Sequence, residues 1–476
     1  MDGAIRAGRG AEPPGRRYDF IVCGSGSSGS VVARRLAENP AVSVLLLEAG
    51  GSDDHPEVFD PGRWTANLGS DRDWNFQAEP STAVNGRAVP MDMGKVLGGG
   101  SSINALTWAR GHASDWDFYA AALLDGARSV GIPTFDSPNG RMMDGKGGAA
   151  SRDMIVRDGT RQSVFRSYVA PVLGRPNLTV LTEALVTRVT FSGQHATGVE
   201  LVAAGTLHRV EAGREVILSL GAIHTPKVLM QSGIGDEREL RRFGIPVVAH
   251  LPGVGNNLQD HAGFSCVWER GETPLPHDNP AEATFYWPSV AGLAIPDMFV
   301  CQLGVPFASA ENRAAFGMPA AGWTLHGAVA RPRSRGQVLL TGPGPLDPVR
   351  IEANLLSHPE DMRVALACVE LCRAIGNSVP LRPFVGREVM PGDLAGAALE
   401  HVIRNDALSY SHETCTAKMG RDAMAVVDGT LAVHGLEGLR IADGSVLPRV
   451  TIGNTMAPCV VVGERAAEIV RARHGC

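Results

Sequence analysis

One stretch limits the fold of this chain more than any other: Tyr18 to Gly50, YDFIVCGSGSSGSVVARRLAENPAVSVLLLEAG. Tyr18–Cys23 is a short apolar run rich in β-formers, and Gly24-Ser25-Gly26-Ser27-Ser28-Gly29 follows at once. Spacing over Ser30–Ala37 predicts a helix with Val31, Val32, Ala33 and Leu36 inward and Arg34 and Arg35 outward. Val42–Leu47 predicts a second buried strand, ending in Glu48. Strand, glycine turn, helix and strand together form a dinucleotide-binding fingerprint in its proper context. Gly24 makes the tight turn, Gly26 admits a pyrophosphate to the backbone, and Gly29 lets helix pack on strand. The helix N-terminus then offers free N–H groups to the phosphates. Glu48 stands where a carboxylate would hold an adenosine ribose. The stretch does not separate NAD from FAD.

At 476 residues the chain is too long for one typical core, so two or three domains are expected. A net charge of −6 with no basic run excludes nucleic acid and a charged membrane surface as partners. Residues 1–16 are mostly Gly, Pro, Ala and Arg and read as a disordered tail without the apolar segment of a secretory signal. No window predicts a membrane span. The eight Cys are scattered without a CxxC, which fits a reducing cytoplasm. Cys368 and Cys372, four apart on a predicted helix, read as buried thiols, and no metal site is expected.

Further along, Gly98-Gly99-Gly100-Ser101-Ser102 with Asn104 is a glycine and hydroxyl turn among Leu97, Ile103, Leu106 and Trp108. These apolar neighbours make it a buried ligand loop, with backbone N–H groups turned to an anion or a flat ring. Gly140-x-x-x-x-Gly145-Lys146 fails as a P-loop, because Gly147 replaces Ser or Thr and no strand precedes it. A helix is expected from Arg161 to Ala170, and strand alternation runs from Asn177 through a hairpin to Val210. Glu215–Leu220 is another apolar strand, running through Gly221 into a helix. The polar loop Gly253–His261 is expected near the cofactor. From Phe264 to about Pro380, short alternating strands broken by Pro and Gly predict an antiparallel sheet with one amphipathic helix, Asp361–Ile375. Strand and helix patterning returns over residues 410–470, ending in a helix from Pro458 to Arg471.

Two polar residues near the C-terminus carry chemistry. His412 lies in SYSHETCTAKMG and Asn454 in TIGNTMAP, just before the last helix. Removing a hydroxyl proton while a hydride leaves the same carbon calls for a base titrating near neutrality, and histidine is that base. Asn can hydrogen-bond the same oxygen without charge. The helix after Asn454 can also aim its N-terminal N–H groups at a developing anion.

Taken together these blocks resemble the glucose–methanol–choline (GMC) oxidoreductases, FAD enzymes that oxidise alcohols. The resemblance rests on the Gly24 fingerprint with Glu48, on Gly94–Asn104, on Gly221–Pro226 through Ser232–Gly235, on Gly253–His261, on His412–Gly420, and on Asp443-Gly444-Ser445 through Asn454 to Glu464. It implies an α/β chain: a Rossmann-like FAD-binding domain, discontinuous in sequence, and a second α+β substrate domain on an antiparallel sheet. The FAD domain would take residues 17–119, 177–261 and 423–476, the substrate domain 262–422, and a shortened lid or connecting segment 120–176. It implies FAD contacts from Gly24, Gly26, Ser27, Ser28, Gly29, Glu48 and Ala49, and from Val96, Gly98, Gly99, Ser101, Asn104, Ala105 and Leu106. Val186 would meet the adenine through its backbone, Asp443 and Gly444 the phosphates and ribityl chain, and Asn454, Thr455 and Met456 the flavin edge. His412 matches the catalytic histidine and Asn454 the second catalytic position. Ile103 stands where some members carry a histidine bonded to FAD, so noncovalent FAD is expected. The short 120–176 segment leaves the substrate entrance either open or covered by a second copy in a homodimer. The expected partners are a small-molecule alcohol and an electron acceptor, either O2 or a quinone- or dye-type compound. A non-oxidative flavoprotein on this scaffold, a hydroxynitrile lyase or photodecarboxylase, is the alternative, and an NAD-linked dehydrogenase is a weaker third.

Overall fold

The computed structural model describes residues 5–6, 17–107, 119–271 and 283–476. Trp108 and residues 116–118, where the lid comparison begins, lie outside the described residues, as does the tail apart from Ile5–Arg6. Among the described residues, two eight-stranded sheets carry the fold.

The first sheet is parallel at its centre. Strands Leu178–Leu181, Val44–Leu47, Arg17–Cys23 and Thr206–Leu218 lie side by side, and Leu439–Ile441 pairs with the last of them. Phe20–Cys23, the inner part of its strand, and Val44–Leu47 are buried on both faces, which is why they read as unbroken apolar runs. Thr206–Leu218 changes partners along its length. Its first half closes an antiparallel meander with His195–Ala203 and Ala184–Ser192, and its second half joins the parallel core. The sequence divides this strand in two because a register shift between Ala212 and Glu215 interrupts the pattern.

The fingerprint helix runs Ser27–Leu36, three residues earlier than its apolar spacing predicts. Ser28 and Gly29 are buried in its first turn, where no aliphatic side chain announces a helix. Gly24 has φ +96°, and a Cβ there would lie 2.3 Å from the Ser219 carbonyl oxygen. A Cβ on Gly29 would lie 1.9 Å from the Gly24 carbonyl oxygen, so the turn closes on itself as well as on the sheet. The last helix, Met456–His474, crosses this one where Gly463 would otherwise meet the Ser28 carbonyl at 2.7 Å. Helix Gly221–Gln231 contains Pro226, which cannot donate to the Ala222 carbonyl. The Thr416 hydroxyl donates there instead, at 2.6 Å.

The second sheet is antiparallel through Val385–Met390, Ala262–Arg270, Gly322–Val329, Met298–Leu303, Ala283–Trp287 and Gly148–Ser151. Helix Pro359–Gly376 covers one face so closely that a Cβ on Gly327 would lie 2.8 Å from Cys368 Sγ. Cys368 and Cys372 are buried there as free thiols. The segment expected as a shortened connector supplies Thr134–Phe135 and Gly148–Ser151 to this sheet. Gly140–Gly147 is a turn around the short helix Arg141–Asp144. Among the described residues no helix is long and apolar enough to cross a membrane.

Candidate active site

A cavity of about 460 Å³ lies where the two sheets meet. Its walls come from Gly24–Ser28, Glu48–Ala49, Gly99–Ala105, Ala184–Val186, Ser219–Ala222, Tyr410–Glu413, Asp443–Gly444 and Asn454–Met456, among others. Gly24, Gly26, Ser27, Ser28, Glu48, Ala49, Gly99, Ser101, Asn104, Ala105, Val186, Asp443, Gly444, His412, Asn454, Thr455 and Met456 all line it. Gly29, Val96, Gly98 and Leu106 lie behind its wall.

At one end, helix Ser27–Leu36 opens onto the cavity. Its first N–H groups have no intrahelical acceptor, and a Cβ on Gly26 would meet nothing within 4 Å. Gly24 and Gly29 are glycines because protein crowds them; Gly26 faces room that a ligand would fill. Glu48 is buried and accepts from the Ser25 amide at 3.0 Å, the Ser25 hydroxyl at 2.6 Å and the Gly50 amide at 2.9 Å. Burial raises its carboxyl above the usual range, against these hydrogen bonds. Asp443 likewise accepts from the Gly221 amide and the Thr225 and Ser445 groups. A helix start, a glycine with open space, and a buried acid beyond the second strand fit the phosphates and ribose of FAD.

The glycine and hydroxyl turn folds as the short helix Gly100–Ile103. Its hydroxyls serve the loop: Ser101 donates to the Gly98 carbonyl at 2.7 Å and Ser102 to the Leu97 carbonyl at 2.6 Å. Asn104 is similarly engaged, accepting from Arg161 at 2.7 Å and from the Leu106 amide at 3.0 Å. Arg161, fully buried, also donates to the carbonyls of Val58 and Asn104, which makes it the internal brace of this loop. No sequence signal marked Arg161, because its partners lie 57 and more residues away.

At the other end, four groups form a line. His412 Nε2 lies 3.1 Å from Asn454 Nδ2, and His412 Nδ1 lies 2.8 Å from His261 Nδ1. His261 Nε2 lies 3.2 Å from the Ala330 carbonyl oxygen. A carbonyl only accepts, so His261 carries its proton on Nε2. Burial pushes His261 down to about 4, so its neutral ring keeps a lone pair on Nδ1. His412 Nδ1 must therefore donate. Burial, His261 and Arg152 hold His412 well below the ordinary histidine range, so its Nε2 keeps a lone pair, which accepts from the Asn454 amide. Asp260 fixes the backbone of this line, accepting from the amides of His261 at 2.7 Å and His412 at 3.0 Å. The loop Gly253–His261 thus lines none of the cavity and acts through His412 from behind.

Sequence reasoning missed the other residues at this end. Arg152, Cys301, Leu303, Phe307, His326, Tyr410 and Glu413 come from the second sheet and its loops, where the pattern shows only strand alternation.

The GMC oxidoreductase family model matches residues 18–121 and 117–263 with its N-terminal part and 332–463 with its C-terminal part. Mitochondrial choline dehydrogenase of Homo sapiens is 33% identical over 543 aligned residues, covering 96% of this chain and 90% of that protein. The oxygen-dependent choline dehydrogenase of Klebsiella pneumoniae is 33% identical over 538, covering 96% of each. Alignments longer than the chain's 476 residues require gaps in it, in keeping with a shortened member. The crystal structure of pyridoxine 4-oxidase from Mesorbium loti superposes with a TM-score of 0.88 at 27% identity, covering 96% of this chain and 99% of that one.

Proposed function

The chain belongs to the GMC oxidoreductases, FAD-dependent enzymes acting on CH–OH donors, and from that premise we propose that His412 is the base of its reaction and Asn454 the group that holds the substrate oxygen. The observation that carries this reading is the line Asn454–His412–His261–Ala330, which leaves His412 Nε2 unprotonated at the cavity wall, its lone pair accepting from the Asn454 amide until a substrate hydroxyl takes that place. FAD, when bound, supplies the hydride acceptor. A hydroxyl between His412 and Asn454 gives its proton to Nε2 and accepts from the Asn454 amide as negative charge grows on its oxygen. His261 receives no proton; it keeps the Nδ1 proton of His412 in place, so the ring can become imidazolium without turning. The start of helix Met456–His474 adds positive potential at the same wall.

Glu48 and the first turn of Ser27–Leu36 would hold the ADP half of the cofactor, Val186 the adenine, and Asp443 and Gly444 the chain between. FAD is noncovalent in this reading, since Ile103 lines the cavity with no atom able to form the bond. The relatives named above are dehydrogenases and an oxidase, and they give no support to a lyase or photodecarboxylase. The test is anaerobic bleaching of the flavin by an alcohol. His412→Ala should slow it by roughly 100- to 10,000-fold, the usual worth of a general base. Bleaching at the parent rate would remove His412 from the role.

A further inference from the structure

A buried cation stands at the substrate end of the cavity without an anion to answer it. Arg152 follows strand Gly148–Ser151 and is 2% exposed. It lines the same cavity as Tyr410, His412 and Asn454, and its charge acts on the His412 ring. Among the described residues its Nε and Nη1 have no hydrogen-bond partner, and Nη2 makes only a long 3.4 Å contact with the Ala105 carbonyl oxygen. Among the described residues no carboxylate pairs with it. Its neighbour Asp153 accepts from Ser137 and Asn139 instead. A guanidinium buried this way is costly unless something completes it.

The acids nearest the site do not complete it. Ser409 has one hydroxyl proton and two carboxyl neighbours, Asp260 at 2.5 Å and Glu413 at 3.0 Å. Burial and Asp260 push Glu413 well above the usual carboxylate range. Burial and Asp73 push Asp92 up to about 7. Two carboxylates that line the cavity, Glu413 and Asp92, are thus held toward their neutral forms. The fork of an arginine matches one anion above others, a carboxylate held by two parallel N–H bonds.

We propose that the substrate is a hydroxy acid, an alcohol whose carboxylate pairs with Arg152 while its CH–OH group lies at His412 and Asn454. This rests on the assignment of His412 and Asn454 as the reacting pair. The reaction is otherwise unchanged. FAD, when bound, would take the hydride from the C–H carbon; the O–H proton passes to His412, a carbonyl forms, and the carboxylate takes no part.

The holoenzyme is mixed anaerobically with 3-hydroxypropanoate, 4-hydroxybutanoate and 5-hydroxypentanoate. The matched primary alkanols and choline are run beside them. At least one hydroxy acid should bleach the flavin with a kcat/KM on the order of 100-fold or more above its alkanol, since a site built for a polar group rejects the analogue lacking it. Arg152→Met should cut the hydroxy-acid value at least tenfold more than the alkanol value, and Arg152→Lys should fall between. An arm without a variant uses butanoate, which has no hydroxyl to oxidise. It should perturb the oxidised flavin spectrum of the unmodified protein and compete with substrate, while butylammonium does neither. Choline or alkanols matching the hydroxy acids, or no butanoate binding, would overturn the proposal. So would an equal loss on every alcohol in Arg152→Met together with a lowered flavin potential, because the arginine then serves the reduced cofactor. If butanoate binds through Arg152 but no alcohol bleaches the flavin, the anion site stands and the assignment of His412 and Asn454 falls.

Discussion

His261 lines no part of the cavity, yet its ring decides which nitrogen of His412 carries the proton. Replacing it with Leu removes the acceptor for His412 Nδ1–H and lets either nitrogen hold the proton. Flavin reduction should slow by roughly 10- to 100-fold, the cost of misplacing a base without deleting it. Asn in its place presents Oδ1 where Nδ1 was and should restore most of the rate. Nitrogen-15 spectra separate this from a packing defect: His412 should show only Nε2 bare in the parent and a mixture in His261→Leu. The sign for pH follows from the lowered value of His412. A base works deprotonated, so its rate persists below the ordinary histidine value of about 6.5 and falls only as pH drops through the depressed value. His412 and Asn454 were legible because a polar residue beside an apolar run or a helix start is conspicuous. His261 was not, because its meaning depends on a partner 151 residues away.

Strands and helices were legible in proportion to how far burial alone shaped them. Phe20–Cys23 and Val44–Leu47 in the parallel strands have no polar face, so their sequence is their burial. Helix Ser27–Leu36 was set late, because Ser27, Ser28 and Gly29 are helical for the sake of the turn and the cavity, against their propensity. The attachment of Leu439–Ile441 to Thr206–Leu218 had no pattern to reveal it and depends on a charge pair. Arg440 donates to both oxygens of Glu215, at 2.7 and 2.9 Å, with side chains 1% and 3% exposed. His474 Nε2 lies 2.9 Å from the same carboxylate. Arg440→Met leaves that carboxylate with His474 and, 3.6 Å away, Arg473, and should cost about 3 kcal/mol in urea unfolding, while Glu215→Leu with Arg440→Met should recover most of it. Burial raises the Glu215 carboxyl, but Arg440 and His474 outweigh it and hold the group below its usual value. The pair therefore contributes fully above the unfolded value of about 4.3 and is lost as pH falls through the lower folded value. That acid dependence should weaken in Arg440→Met.

Across the whole molecule, the cavity is assembled from nearly every part of the chain, Gly24 to Cys459. This is why local motifs identified the cofactor while the substrate wall stayed unread: the motifs answer to FAD, and the second sheet answers to a substrate no pattern names. The same assembly ties cofactor to fold. Unfolding separates Gly26, Glu48, Val186, Asp443 and Met456, so FAD binds the native cavity and loses its site in the unfolded chain. Linkage then stabilises the native state by about 2.7 kcal/mol at 100 times the dissociation constant and about 4.1 kcal/mol at 1,000 times. The melting temperature should climb with the logarithm of free FAD, by a few degrees over that range, for as long as FAD is added. This holds only if FAD can leave. With Ile103 where a bond would have to form, denaturation should release all the yellow colour into the filtrate. A coloured precipitate, or a melting temperature indifferent to added FAD, would mean that the cofactor is bonded to the chain through another residue.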